Sequence, residues 1–120
     1  MNRLRLPFSN GTDGAALRRA SSELLAGEHT PELIDDSLLI VTELVDNVIQ
    51  HTAAGGEVVL VSRHGTVMIE VFDTSRRMPQ ARHPKPDQPG GRGLLLVVAL
   101  SRAWGSRQTS SGKVVWAELA

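Results

Sequence analysis

The pattern of apolar and polar positions along the chain predicts five strands and three helices. Leu4, Leu6 and Phe8 alternate with polar residues, which is typical of a strand. Pro7 favours a sheet edge for that strand, because proline has no N–H to donate to a neighbour. β-Rich runs at 57–62 and 66–72, joined by a turn at 63–65, predict a hairpin. A closing hairpin is predicted from 106–109 and 113–119, around the turn 110–112.

The helices are predicted from periodicity and from their end signals. The first begins at Thr12 or Asp13 and ends around Gly27. The second has Thr30 as N-cap and a proline at the first helical position, and it runs to about Thr52. The third is the apolar run 94–100, with 103–105 predicted to end it. Because helices and hairpins are segregated, we expect an α+β fold, a two-layer α/β sandwich in which about three helices cover one face of a mixed, mostly antiparallel sheet.

Composition narrows the classes of function. Thirteen basic and thirteen acidic residues cancel, and 3% aromatic residues offer no stacking surface, so no direct nucleic-acid partner is indicated. The absence of cysteine excludes disulfides, thiolate metal sites and cysteine nucleophiles. No signal peptide is apparent, and the longest apolar run is too short to cross a bilayer. We therefore expect a cytoplasmic protein that is one domain over residues 1–120 and binds no membrane.

The second helix carries the polar residues that are best suited to catalysis or metal binding. Glu43, Asn47 and His51 are four residues apart, which places them on one helix face. The apolar residues of the same helix fall on another face: Ile34, Leu38, Val41, Val45 and Val48. Glu43 can accept a proton from a nucleophile, and Asn47 can offer a neutral oxygen ligand to Mg²⁺. A solvated helix surface has the same pattern, so this stretch alone leaves both interpretations open.

Asp73 ends a strand in an unusual place for a charged residue. It continues the alternation of the β-branched residues before it, which would put its carboxylate on the core side of the strand. An unpartnered buried charge is costly. We therefore expect Asp73 to lie at the mouth of a site or to have a dedicated donor.

A polar loop and a glycine-rich helix entrance follow Asp73. Residues 74–92 contain four prolines and four arginines with almost nothing apolar, which is typical of a functional loop or of disorder. Gly91 and Gly93 then precede the third helix, whose first amide groups suit a phosphate chain. A lone Gly-x-Gly is more often only a turn.

Taken together, these stretches resemble the motifs of the GHKL (Bergerat-fold) ATPases. Residues 43–51 are similar to the N box, 71–79 to the G1 region and 91–97 to the G2 box. Residues 104–105 and 112–119 resemble the end of one branch, the anti-sigma-factor serine/threonine kinases. The resemblance runs from Leu6 to Leu119, and three motifs in the expected order are more specific than any one of them.

The resemblance implies that the cofactors are ATP and Mg²⁺. Asp73 would accept a hydrogen bond from the adenine amine and reject guanine, whose O6 would oppose the carboxylate. Asn47 would bind the Mg²⁺, and the amides at the third helix's entrance would bind the phosphates. The other residues implied to contact the nucleotide are Ser75, Arg77, Gly91, Arg92, Gly93 and Leu94. The proline-rich loop would be the ATP lid.

The same resemblance implies a reaction and its partners. Glu43 would be the catalytic base that receives the proton of a serine or threonine hydroxyl. That hydroxyl would belong to an anti-sigma-factor antagonist, and the protein would sequester a sigma factor by partner switching. A homodimer is expected on the same ground.

Two departures from the family pattern keep an alternative open. Thr74, Ser75, Arg76 and Arg77 follow Asp73 where the wider superfamily has Asp-x-Gly-x-Gly. Val114 stands where relatives often have a threonine that supports the aspartate. These departures favour a catalytically weak or inactive clamp for the sigma factor and its antagonist. A third interpretation, a metal-dependent hydrolase built on the polar face of the second helix, lacks a second carboxylate, since Asp46 points roughly 100° away.

Overall fold

The computed structural model describes residues 2–52, 55–73 and 91–120, which form an α+β fold. Every predicted strand and helix is present, with bounds shifted by a few residues. The elements in chain order are β1 (Asn2–Phe8), α1 (Gly14–Leu25), α2 (Pro31–Thr52), β2 (Gly56–Arg63), β3 (Thr66–Asp73), α3 (Gly91–Leu100), β4 (Ala103–Gln108) and β5 (Lys113–Leu119).

The five strands form one sheet in the order β1-β2-β3-β5-β4. Every pairing among them is antiparallel, so the described sheet has no parallel pair. The predicted edge position of β1 is confirmed, with Pro7 opposite Glu57. The predicted two-layer α+β architecture is confirmed as well. The strand order places β3 at the centre of the sheet.

Side chains and turns explain where α1 begins and ends and where α2 begins. The Asp13 carboxylate accepts a hydrogen bond from the Ala15 amide at 2.9 Å and caps α1. The Thr30 hydroxyl accepts from the Leu33 amide at 3.2 Å and caps α2 in the same way. Gly27 follows α1 with φ +80°, a conformation that glycine adopts without strain. In the described ranges, no helix combines the length and the apolar character needed to cross a membrane.

The core lies between the helices and one face of the sheet. β3 contributes Val67, Ile69 and Val71 to it, each at most 1% exposed. The buried side of α2 is shifted from the predicted one, since Ile34 and Leu38 are only half-buried whereas Ile40 and Leu44 are fully buried. The residues of α2 that are fully buried are Ser37, Ile40, Val41, Leu44, Val45 and Val48.

Replacing Ile69 with alanine is expected to lower the free energy of unfolding by about 3 kcal/mol, because it leaves a cavity in the centre of the core. Urea denaturation measures the loss. Met68→Ala is the matched control, since Met68 is half-buried on the other face of β3, and about 1 kcal/mol is expected there. Equal losses in the two variants would contradict this location of the core.

The prediction that 103–105 end the third helix is wrong. The last turn of α3 closes where the Ser101 amide donates to the Val97 carbonyl at 3.0 Å. The next amide, that of Arg102, donates to the Glu118 carbonyl at 2.7 Å and starts the pairing with β5. Ala103 therefore already belongs to β4, and the half-buried Trp104 packs against the core from the sheet.

Candidate functional site

Asp73 is the last residue of β3 and lies on the helix-covered face of the sheet. Its side chain is 1% exposed, following the alternation of buried residues along the strand. Lys113, at the start of β5, lies directly opposite Asp73 in the strand register. Its Nζ is 3.7 Å from Asp73 Oδ2, and its side chain is 11% exposed. A buried carboxylate needs a partner of opposite charge, and Lys113 forms an ion pair with it.

The same register corrects the role expected for Val114. Val114 is paired with Phe72, one position along from the Asp73–Lys113 pair. Because side chains alternate between the two faces of a strand, Val114 points away from the face that carries Asp73. A threonine at 114 would not reach the carboxylate, and the expectation that Val114 weakens its support is therefore wrong.

Glu43 and Asn47 lie at the border of the buried side of α2. Both are half-buried, whereas Asp46 between them is exposed and Val48 is fully buried. Asn47 Oδ1 is inaccessible to solvent and has no hydrogen-bond partner within the described part of the chain. Buried oxygens without a partner are rare and call for an explanation. A neutral oxygen without a protein donor is a suitable ligand for a hard cation such as Mg²⁺.

The topology brings the end of α2 to the same end of the sheet as Asp73. Gly56, the first residue of β2, is paired with Asp73. α2 ends at Thr52, four residues earlier, and a chain of that length spans at most about 14 Å. A Cβ on Gly56 would overlap the carbonyl oxygen of Phe72. Glycine is therefore required for the close pairing of strands beside Asp73.

The C-terminus of α3 lies at the opposite end of the sheet from Asp73. α3 runs almost directly into β4, whose first residue, Ala103, is paired with Glu118. Glu118 is near the end of β5, whereas the Asp73 end of the sheet is where β5 begins. The C-terminus of α3 is therefore at the far end of the sheet. We infer that Asn47, Asp73 and the amides of 91–93 face a common region between the helices and the sheet.

Some of the predicted site residues lie outside the described residues. Ser75, Arg77 and the rest of the predicted lid as far as residue 90 fall there, as do the side chains of His51 and Arg92. The backbone of Gly91, Arg92 and Gly93 forms the first turn of α3. Leu94 is buried, at 5% exposure, and anchors that turn.

No group of three or more His, Asp or Glu side chains suited to a metal ion occurs in residues 2–52, 55–73 and 91–120. The interpretation as a metal-dependent hydrolase therefore gains no support from the described side chains. Mg²⁺ bound together with a nucleotide has a different requirement, because it uses one or two protein oxygens beside phosphate oxygens and water. One side-chain oxygen, such as Asn47 Oδ1, is enough for that requirement.

Lys113 is the site residue that the sequence interpretation missed. Forty positions separate it from Asp73, and no local pattern connects the two residues. Its charge becomes relevant only when β3 and β5 are aligned in register. The one indication of such a residue in the sequence was that a buried Asp73 carboxylate would need a partner.

Comparison with known proteins identifies the class to which this fold and site belong. A family model described as the histidine kinase-like ATPase domain matches residues 10–119. The chain belongs to the histidine kinase-like ATPase domain family. It is thus an ATP-binding domain of the GHKL type. No curated protein matches the chain.

Proposed function

We propose that the protein is an ATP- and Mg²⁺-dependent serine/threonine kinase that phosphorylates an anti-sigma-factor antagonist and sequesters a sigma factor by partner switching. The main support is the buried Oδ1 of Asn47, which has no hydrogen-bond partner among the described residues and lies one helical turn after Glu43 on the same border of α2. The two protein partners, a homodimer and a cytoplasmic location are part of this proposal, and their support is the resemblance of the sequence to the anti-sigma-factor kinases.

The described residues fit ATP and its metal ion. Asn47 Oδ1 would be the protein ligand of Mg²⁺, and the buried Asp73 carboxylate would accept the hydrogen bond of the adenine amine. The amides of 91–93 are at the positive end of α3, which favours a phosphate chain. A Mg²⁺ ion held by Asn47 would supply positive charge that offsets the negative charge of the phosphates.

Glu43 would act on the protein substrate. As the substrate hydroxyl oxygen bonds to the γ-phosphorus, its proton passes to the Glu43 carboxylate. The bond between the γ-phosphorus and the bridging oxygen breaks, and ADP leaves with that electron pair. Glu43 is half-buried and one helical turn from Asn47, so its carboxylate would be beside the proposed metal ligand and still partly accessible to a substrate.

The second candidate function is a partner-switching clamp with little or no catalysis. One observation favours it: Asp73, which must accept the adenine amine, already has the Lys113 ammonium 3.7 Å away. If that ion pair excludes the base, ATP does not bind and the fold serves only to bind proteins. Calorimetric titration with ATP and Mg²⁺ distinguishes the two functions, because the clamp gives only the heat of dilution.

Incubation with γ-labelled ATP, Mg²⁺ and the cognate antagonist tests the kinase proposal directly. The expected result is label on a serine or threonine of the antagonist. ATP binding without label transfer would refute the kinase but not the nucleotide site. A protein that neither binds ATP nor transfers label would refute the kinase.

Replacing Asn47 with alanine is expected to weaken ATP binding roughly 10- to 100-fold when Mg²⁺ is present, because it removes the protein ligand of the metal. The loss should disappear when Mg²⁺ is chelated. The free energy of unfolding should stay the same or rise, since the substitution removes a buried oxygen that has no partner within residues 2–52, 55–73 and 91–120. Titration with and without Mg²⁺, together with urea denaturation, measures both effects.

Gln50→Ala is the control for this variant, because Gln50 is exposed on the same helix. It should change neither affinity nor stability. If Asn47→Ala destabilised the fold and left the Mg²⁺-dependent affinity intact, Asn47 would be a structural residue and not a metal ligand.

A further inference from the structure

We propose that Asn10 is a site of spontaneous covalent modification, in which the backbone nitrogen of Gly11 attacks the Asn10 side chain and converts the asparagine to aspartate or isoaspartate. The reactivity belongs to Asn10 and not to Asp13, although Asp13 is also followed by a glycine. This inference concerns the turn between β1 and α1 and does not depend on the nucleotide site.

The reaction needs only water. The nitrogen of Gly11 bonds to the side-chain carbonyl carbon of Asn10 and closes an imide ring. The side-chain nitrogen leaves as ammonia, together with the proton that the Gly11 nitrogen gives up. Water then opens the ring at either carbonyl carbon, which gives aspartate or, when the main chain comes to pass through the side-chain carbonyl, isoaspartate. Glycine is the most favourable following residue, because no Cβ hinders the approach of its nitrogen.

The turn that contains Asn10 leaves the two reacting groups free. Asn10 and Gly11 are both exposed. The hydrogen bonds that close the turn use its outer residues: the Thr12 amide donates to the Ser9 carbonyl at 3.0 Å, and the Ser9 amide donates to Thr12 Oγ1 at 2.7 Å. Among the described residues, neither the Asn10 side chain nor the Gly11 amide has a hydrogen-bond partner. Apart from the residues on either side, no atom lies within 4 Å of the place that a Gly11 Cβ would occupy, so the turn has room to reach the reactive geometry.

Asp13 has the same following residue in a protected setting. Its carboxylate accepts a hydrogen bond from the Ala15 amide at 2.9 Å, and Gly14 is the first residue of α1. Attack on the Asp13 side chain would break this cap and move the backbone of the first helical turn. Asparagine caps helices about as well as aspartate. The protection should therefore persist in Asp13→Asn, a variant with two Asn-Gly pairs in different structural settings.

Isoaspartate at position 10 would disturb the end of β1. The two hydrogen bonds between Ser9 and Thr12 span a main chain that becomes one carbon atom longer, so both cannot keep their geometry. Phe8, the residue before Ser9, is 5% exposed in the core. Its carbonyl oxygen lies against Gly55, where an added Cβ would overlap it, and this close packing leaves little room for a shift. We therefore expect the isoaspartate form to unfold at a lower temperature.

The test is incubation of the wild type and Asp13→Asn in mildly alkaline buffer, followed by tryptic digestion and mass spectrometry. One tryptic peptide, residues 6–18, contains both positions, and its fragments locate the mass difference between an amide and a carboxyl group. The wild type should react at Asn10 and not at Asn2 or Asn47, whose backbones are held in β1 and α2. In folded Asp13→Asn, position 13 should react at least about 10-fold more slowly than position 10, whereas the two rates should be similar in urea.

Gly11→Val tests the attacking nitrogen. Valine fits at this position, since the φ of Gly11 is not positive and the added Cβ would have open space. Its branched side chain should slow the reaction at Asn10 by about 10-fold or more. An unchanged rate in this variant would overturn the proposed attack by the Gly11 nitrogen.

Two further results would overturn the proposal. One is an Asn10 that stays intact in the folded wild type while it reacts in urea. The other is an equal rate at positions 10 and 13 in folded Asp13→Asn. The effect on β1 is measured on the isoaspartate form after chromatographic separation, and its midpoint of thermal unfolding should be a few degrees below that of the unmodified protein. An unchanged midpoint would overturn the effect on β1.

Discussion

Replacing Glu43 with glutamine is expected to slow phosphoryl transfer to the antagonist by about 1000-fold, within the range for loss of a general base. Glutamine has nearly the same shape but cannot take the proton from the substrate hydroxyl. ATP affinity should stay within about threefold of wild type, because the metal ligand and the base-binding carboxylate are intact. Label transfer under single-turnover conditions measures the rate, and calorimetry measures the affinity.

Asp46→Asn is the matched control, because it removes a carboxylate only three residues away on the exposed side of α2. It should transfer label at the wild-type rate. If Glu43→Gln were as active as wild type, another group would have to accept the proton. If both variants lost activity equally, the effect would come from the charge of the helix rather than from one positioned base.

Replacing Asp73 with alanine is expected to weaken ATP binding roughly 100-fold, because the buried adenine amine then lacks its acceptor. The variant should also lose about 3 kcal/mol of unfolding free energy, since Lys113 loses its carboxylate in a largely shielded position. The two effects are measured separately, by titration at a temperature where the variant is fully folded and by urea denaturation.

Glu70→Ala controls for removal of a negative charge from the same strand. Glu70 is on the other face of β3, where it pairs with Arg107 at 3.4 Å and its side chain is 23% exposed. An ion pair that is partly exposed contributes little to the free energy of unfolding. ATP affinity should therefore not change, and the free energy of unfolding should fall by less than about 1 kcal/mol. Unchanged ATP affinity in Asp73→Ala would mean that the base is not bound at the end of β3.

Local features of the sequence predicted the elements well, because the interactions that define them are themselves local. Asp13 and Thr30 cap their helices through amides only two or three residues away. Pro7 predicts an edge strand whatever its neighbour is, since it cannot donate to the sheet. The alternation that ends at Asp73 likewise predicted which face the carboxylate would occupy, and the structure confirms it.

Contacts between distant segments could not be predicted from the sequence. The end of α3 was placed too late, because apolar residues suit a helix and a strand equally well, and the bond from the Arg102 amide to the Glu118 carbonyl decides between them. Whether Glu43 and Asn47 lie on a solvated helix surface or in a functional site could not be decided from the sequence, for a similar reason. Their partial burial depends on how α2 packs against the rest of the fold, which periodicity alone does not specify.

The sequence by itself determined the elements, the fold class and the candidate residues Glu43, Asn47 and Asp73. Only the tertiary structure decided that Lys113, and not Val114, is the neighbour of Asp73. The physical reason is that a shift of one residue between β3 and β5 moves every side chain to the opposite face. That register is set by the packing of the whole sheet and not by any short stretch of the chain.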